Sequence, residues 1–441
     1  MIASSKSVAI CALFVFLLGA ATDALAQATG SSRKRIPQDP EAVALNNTLA
    51  AAQAALDGKD YATAAKDYES YLEKKPDDAA VHFQLGYALT AMQKLDEAKT
   101  QYQKAIELNP KMAEAYLNLG LTLLGSDPNA AIPPLQKATE LLPNHERAKF
   151  ALGVAYERTG KSPLAIEQYQ AAEKLDDKDA DTHLALARAL LNASRPAEAE
   201  GEFRAALALK SDSVAARLGL AQSLASQKKS EAAADEFRAY LELVPADRDA
   251  RIERASLLFD AGKLDESLAE LDRAANGDAE ALRALKLRAL IYYQKKQFNE
   301  AVPVLVKAIA LAPQDPNLPA ELGHAYLEKK DYPSAVQELI VAMKANPRSL
   351  DVLSDLVVAE YLNKNYGAAL SGLDILSQHQ ELPVGSWFIR ATCYDKLGQV
   401  APALAAYQKF LQLNKDENSD MYFEAAARAR TLERELKDKK R

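Results

Sequence analysis

The side chains that most often carry chemistry are few and scattered in this 441-residue chain: His82, His145, His183, His324 and His379, with two cysteines, Cys11 and Cys393. His145-Glu146 begins like a zinc-protease helix, but the second histidine would have to stand where Lys149 does. There is no Gly-rich loop with a lysine to cradle a phosphate and no Gly-x-Ser-x-Gly elbow to expose a nucleophilic serine. A metal site would need ligands converging from distant stretches. The expectation is therefore a chain that is not an enzyme, with no catalytic residue, no metal site and no cofactor.

What the sequence does contain, many times over, is a pair of amphipathic helices. Residues 79–112 place Val81, Leu85, Ala88, Leu89 and Met92 at helical spacing, then Leu95, Ala98, Tyr102, Ala105, Ile106 and Leu108. The polar Gln93-Lys94 separates the two runs, and Pro110 closes the second. With Gly86 as position 8 of a 34-residue unit, eleven frames run over 45–417, one of them (113–145) a residue short. Position 8 is small in ten frames, from Ala52 to Ala391, and is Val357 in the tenth. Position 20 is Ala in all but the seventh, which has Ser267, and position 24 is always large, as Tyr68, Tyr102, Leu135 and Tyr169. Small residues where two helices cross let their backbones approach. Such a pair cannot bury its apolar faces alone and needs neighbours of its own kind.

This recurrence resembles the tetratricopeptide repeat family over 373 of the 441 residues. The resemblance implies an all-α fold, a right-handed α-solenoid of about eleven helix-turn-helix repeats. The seventh repeat departs from the pattern, with Arg254 at position 7, Ser267 at position 20 and Asn276-Gly277-Asp278 where its second helix should finish. Prolines at 128, 163, 196, 333 and 402 fall early in second helices, where a missing N–H is tolerated, whereas Pro133, Pro134 and Pro303 lie deeper. Past the repeats, in 418–441, Ser419 is placed to cap a last helix with Met421, Ala425, Ala429, Leu432 and Leu436 on one face, as a capping helix with a basic tail.

Ahead of the repeats, residues 1–26 read as a secretory signal peptide: Lys6, an apolar run over 8–21, and Ala24-Leu25-Ala26 before Gln27. The run is short of the roughly 20 residues that span a bilayer. A retained anchor is the competing reading. Residues 27–44 read as a flexible linker, with helix starting near Glu41. The expected location is exported, periplasmic or secreted, with membrane contact only through the signal peptide or partners. Cys11 would leave with that segment, so Cys393 is expected as a buried free thiol inside a helix. The net charge of -7 argues against nucleic acid.

The resemblance also implies binding of a protein or peptide on the concave face, lined by positions 2, 5, 9, 12 and 13 of the first helices. In repeats two to four, positions 5 and 9 are Phe83 and Tyr87, Leu117 and Leu121, Phe150 and Val154, an apolar strip suited to an apolar or amphipathic peptide. The competing reading is that these side chains only pack against neighbouring helices. Arg147, Arg158 and Arg188 fall on the same lining and either read an acidic group or pair with Asp181 and Glu157. The family's carboxylate clamp, Lys at 5 with Asn at 9, is not reproduced, since the chain has Leu49 with Gln53 and Lys286 with Leu290. The expected role is a scaffold or adaptor for an unidentified partner, in envelope assembly or secretion. The alternatives are a non-catalytic subunit positioning an enzyme and a solenoid that recognises polysaccharide or peptidoglycan, for which one Trp offers little flat surface.

Overall fold

The computed structural model of the chain describes residues 39–275, 281–416 and 418–439. The expected signal peptide, most of the expected linker and Asn276-Gly277-Asp278 lie outside them. The described residues form helices and no strand, in two compact units, Met1–Pro143 and Asn144–Arg441. The first unit holds α1 (Pro40–Asp57), α2 (Tyr61–Leu72), α3 (Ala79–Ala91), α4 (Leu95–Leu108), α5 (Ala113–Leu124) and α6 (Pro128–Leu141). The second opens with α7 (Glu146–Arg158), α8 (Ser162–Glu173), α9 (Ala180–Asn192), α10 (Pro196–Leu209), α11 (Val214–Ser226) and α12 (Ser230–Leu243). It continues with α13 (Arg248–Asp260), α14 (Leu264–Ala275), α15 (Leu282–Gln294), α16 (Phe298–Leu311), α17 (Asn317–Glu328) and α18 (Tyr332–Ala345). It ends with α19 (Leu350–Leu362), α20 (Tyr366–His379), α21 (Val384–Lys396), α22 (Val400–Leu413) and α23 (Asp420–Lys439). Each odd-numbered helix up to α21 pairs with the next, so each of the eleven frames is one helix pair of an all-α solenoid.

In most repeats the residue before the first helix caps it, which helps to set where the frame starts. Asp78 accepts from the Ala80 and Val81 N–H groups, Asp179 from Asp181 and Thr182, Asp247 from Ala250, and Ser213 and Ser349 cap α11 and α19 in the same way. Each cap satisfies a donor that the helix cannot, worth about 1 kcal/mol. Two tyrosines at position 27 hold such caps in place: Tyr71 Oη donates to Asp78 at 3.2 Å and Tyr240 Oη to Asp247 at 2.7 Å. Asp39 caps α1 through the Glu41 N–H, with Pro40 as the first helical residue, so the last residues of the expected linker are helical.

In ten of the eleven pairs the turn inside the pair is built on one left-handed residue at position 15. It is Lys59, Gln93, Gly160, Ser194, Lys228, Gly262, Lys296, Lys330, Lys364 or Gly398, with φ between 56° and 76°. The next N–H reaches back to the carbonyl at position 11, as Lys94 to Leu89 and Lys161 to Tyr156, both at 2.9 Å. This is the helix-ending geometry that glycine favours. The 33-residue repeat is short at this turn: α5 ends at Leu124 and Asp127 already caps α6.

The core of each pair is the contact expected between positions 8, 20 and 24. All eleven residues at position 20 are 0 % exposed, Ser267 included, whose hydroxyl donates to the Ala255 carbonyl at 2.6 Å. Position 24 is buried throughout as well, from Tyr68 to Tyr407. The glycines at position 8 are forced: a Cβ on Gly86 would lie 2.8 Å from the Tyr102 ring, on Gly120 2.4 Å from Leu135, and on Gly153 2.6 Å from Tyr169. α6 and α16 continue through Pro133, Pro134 and Pro303.

The last helix closes the second unit. Ala425, Ala429 and Leu432 are buried against Phe388, Ala406, Tyr407 and Phe410, and Arg428 grips Asp395 through two nitrogens at 2.5 and 2.8 Å. Met421, expected on that buried face, is exposed, because it precedes the turn where α23 meets α22. Ser419 stands before the helix but donates its hydroxyl to the Asp416 carbonyl. Among the described residues no helix is long and apolar enough to cross a membrane.

Candidate functional site

Position 4 carries a device that the repeat pattern had hidden. In four repeats its side chain bridges the carbonyl at position 32 of the preceding inter-repeat turn and a side chain at position 23 of its own second helix. His82 reaches the Pro76 carbonyl at 2.9 Å and Gln101 at 2.7 Å. His183 reaches the Asp177 carbonyl at 3.1 Å and Glu202 at 2.7 Å. Arg217 donates to Ser211 and Glu236 at 3.2 and 3.1 Å, and Arg251 to Pro245 and Glu270 at 2.9 and 3.3 Å. Each latch therefore fastens one repeat to the turn that delivers it. The signal was present as polar residues at positions 4 and 23, a separation of 19 that no single-helix period reveals.

This register also gives His183 a role. Its Nδ1 lies 2.7 Å from Glu202 and 4.0 Å from Glu173, a grouping from adjacent repeats that has metal-ligand chemistry. Glu173 comes from the fourth repeat, and His183 and Glu202 from the fifth. In the next two repeats guanidinium groups make the corresponding contacts to the turn carbonyl and the position-23 carboxylate. Burial would depress the imidazolium, but hydrogen bonds to Glu202 and the Asp177 carbonyl and the charges of Glu202 and Glu173 outweigh it, and the pKa is raised. Among the other histidines, His145 caps α7 through the Ala148 N–H, and His324 meets Asp355 at 3.3 Å.

The residues expected to line a groove sit on first helices, but at different depths. In the first unit, Phe83 and Tyr87 on α3 and Leu121 on α5 are half-buried. Leu117 is 7 % exposed and belongs to the interior, a correction to the expected strip. Phe83, at the same position of α3, keeps part of its ring accessible, with its centroid 5.9 Å from that of Tyr102. In the second unit, Phe150 and Val154 on α7 are half-buried, Phe150 with its ring 5.6 Å from Tyr169. None of these six is a fully exposed side chain.

Arg147 and Arg188 are exposed. Arg188 on α9 meets Glu157 on α7 at 3.3 Å, and the other oxygen of Glu157 accepts from Tyr169 Oη at 2.7 Å. The pairing with a carboxylate that the spacing allowed is thus made, although an exposed pair adds little stability. The two clamp-like positions are occupied otherwise: Gln53 accepts from Tyr68 Oη at 3.1 Å, and Lys286 pairs with Asp315. The first unit thus carries partly accessible apolar side chains at Phe83, Tyr87 and Leu121, and the second carries Phe150 and Val154 with exposed Arg147 and Arg188.

Sequence profiles agree with this architecture. A sequence profile described as tetratricopeptide repeat matches residues 49–91, 125–180, 184–248 and 252–316. Related profiles match 86–126, described as TPR repeat, and 292–349 and 386–416, described as tetratricopeptide repeat. Anaphase-promoting complex subunit 3 of Schizosaccharomyces pombe is 30 % identical over 107 residues, which is 24 % of this chain and 16 % of that protein. A crystal structure of MamA protein is 23 % identical, over 38 % of this chain and 92 % of that one, with a TM-score of 0.36. MamA from Desulfovibrio magneticus RS-1 is 23 % identical over 40 % and 98 %, with a TM-score of 0.37.

Proposed function

We propose, from the premise that this chain belongs to the tetratricopeptide repeat family, that it is a scaffold for protein–protein interaction which holds a partner segment on the lining of its first helices. The single observation that carries the finer reading is the partial burial of Phe83, Tyr87 and Leu121 on α3 and α5. These side chains lie on neighbouring first helices and keep part of their apolar surface accessible. An apolar or amphipathic segment covering them would remove that surface from water, at about 25 cal/mol per Å². Phe150 and Val154 offer a second such place within the other unit, with Arg147 and Arg188 exposed beside it to meet acidic side chains.

The setting we infer draws on the sequence alone. The features of residues 1–26 support export, and an exported scaffold fits assembly of an envelope structure or a secretion apparatus. The chemistry of the lining supports binding without turnover, since its charged groups are paired or exposed rather than buried beside a nucleophile.

The test is affinity capture with the full chain against the extracytoplasmic fraction of its source, in parallel with Tyr87→Ala combined with Leu121→Asp. The reading expects a recurrent protein, depleted at least tenfold on the double variant while helical circular dichroism is unchanged. Equal capture by both, with the fold intact, would remove the lining of α3 and α5 as the site.

A further inference from the structure

Arginine at position 7 is unusual for this repeat, because that position otherwise carries Leu in most frames and Ala51 in the first. It occurs three times, as Arg254, Arg288 and Arg390. In two cases the answer is a carboxylate at position 25 of the preceding repeat: Arg288 meets Asp272 at 2.6 Å, and Arg390 meets Asp374 at 2.7 Å. At the junction before Arg254 that position is Arg238. A guanidinium thus stands where the two sibling junctions carry an aspartate.

The consequence is an open cleft of about 280 Å³ between α12, α13 and α14, lined by Arg238, Arg251, Arg254, Arg273, Glu242 and Glu270. Glu270 is 1 % exposed and accepts from Arg254 at 2.6 Å, from Arg251 at 3.3 Å and from Arg273. Arg254 is itself buried, and its Nε donates to the Ala234 carbonyl at 3.1 Å. Four guanidinium groups therefore face two carboxylates. Arg238 also pairs with Asp235 at 3.1 Å, but both side chains are 58 % exposed, and such a pair holds weakly enough to leave the guanidinium free to turn. With the Arg238–Asp235 pair included, four guanidinium groups stand against three carboxylates here, and a phosphate group carrying about −1.5 to −2 meets that excess of positive charge. Guanidinium forks match such an oxyanion in geometry as well as charge.

We propose that this cleft binds a phosphate group, held by Arg238 and Arg273 at the rim and Arg254 at the floor, in the place where the sibling junctions carry an aspartate. It lies on second helices and on position 7, away from the lining discussed above, and stands whether or not that lining binds a partner. The group arrives either as inorganic phosphate or as a phosphoryl group on a larger ligand.

Isothermal titration of the full chain with inorganic phosphate and with O-phosphoserine, at an ionic strength fixed with chloride, tests this. Saturable one-site binding of at least one is expected, and the tighter of the two names the source. Arg238→Asp installs the sibling carboxylate beside Arg254 and should weaken binding at least tenfold while raising the thermal midpoint. Arg273→Gln removes an exposed rim group and should weaken binding several-fold with unchanged helical content. Absence of saturable binding of both probes, or wild-type affinity in Arg238→Asp, would overturn the proposal.

Discussion

Val357 and Gly372 exchange the sizes that the repeat assigns to them. Val357 occupies position 8, where ten repeats carry glycine or alanine, and a Cβ on Gly372 would lie 2.5 Å from its Cγ2. The departure in α19 is thus compensated in α20, with Leu373 still 0 % exposed. The volume at the helix crossing is conserved while the residue that supplies it changes sides.

Gly372→Ala is therefore predicted to destabilise by about 1–3 kcal/mol through overpacking, and Val357→Ala added to it should recover most of the loss. Urea denaturation of the two single variants and the double variant measures the coupling. Additive effects would mean that the two side chains do not share one space.

The left-handed residue at position 15 predicts opposite outcomes at two sites. Lys330, at φ 64°, carries a Cβ where the backbone favours none, so Lys330→Gly should stabilise by up to about 1 kcal/mol. Gly160, at φ 73°, has open space around its missing Cβ. Gly160→Ala should nonetheless cost about 1 kcal/mol, from conformation alone. Denaturation midpoints for the pair check the sign at each.

His183 predicts a pH dependence. Its pKa is raised in the folded chain, so its contribution is complete below the unfolded value of about 6.5 and is lost as pH rises through the higher folded value. His183→Arg keeps both latch contacts in the form used by Arg217 and Arg251 and should remove this loss. Denaturation midpoints measured from about pH 5.5 to 9 should converge at low pH and separate at high pH.

Cys393 is 0 % exposed, and burial pushes its thiol up to about 12. It should resist a thiol reagent at pH 8 in the native chain and react at once in denaturant, because the thiolate is the reactive form. Rapid native labelling would mean that α21 opens from its neighbours.

The helix pairs were legible because each level of the sequence repeats the same instruction. Small residues at 8 and 20, a large one at 24 and a break near 15 all recur in register, and the helices begin where the frames begin. The latches at 4 and 23 were not, because they join two helices and a preceding turn, and only the fold gives the direction of His183 or Arg251. Arg254 stood out as a departure, but its meaning needed Arg238, sixteen residues earlier on another helix. Spacing alone did not separate Leu117, which is buried, from the partly accessible residues of the expected strip. Periodicity says which face of α5 is apolar, but Leu117 and Leu121 share that face and differ in burial by the way α5 meets its neighbours.

The most direct measurement of the account is site-specific photo-crosslinking of the captured partner. A photoreactive amino acid is placed at Tyr87, Leu121 or Val154 on first helices, and at Val306 or Val341, which are 48 % and 47 % exposed on second helices, as controls. Partner adducts at the first-helix sites, absent from the controls, are the predicted result. Adducts confined to Val306 or Val341 would contradict it and place the partner on the second helices.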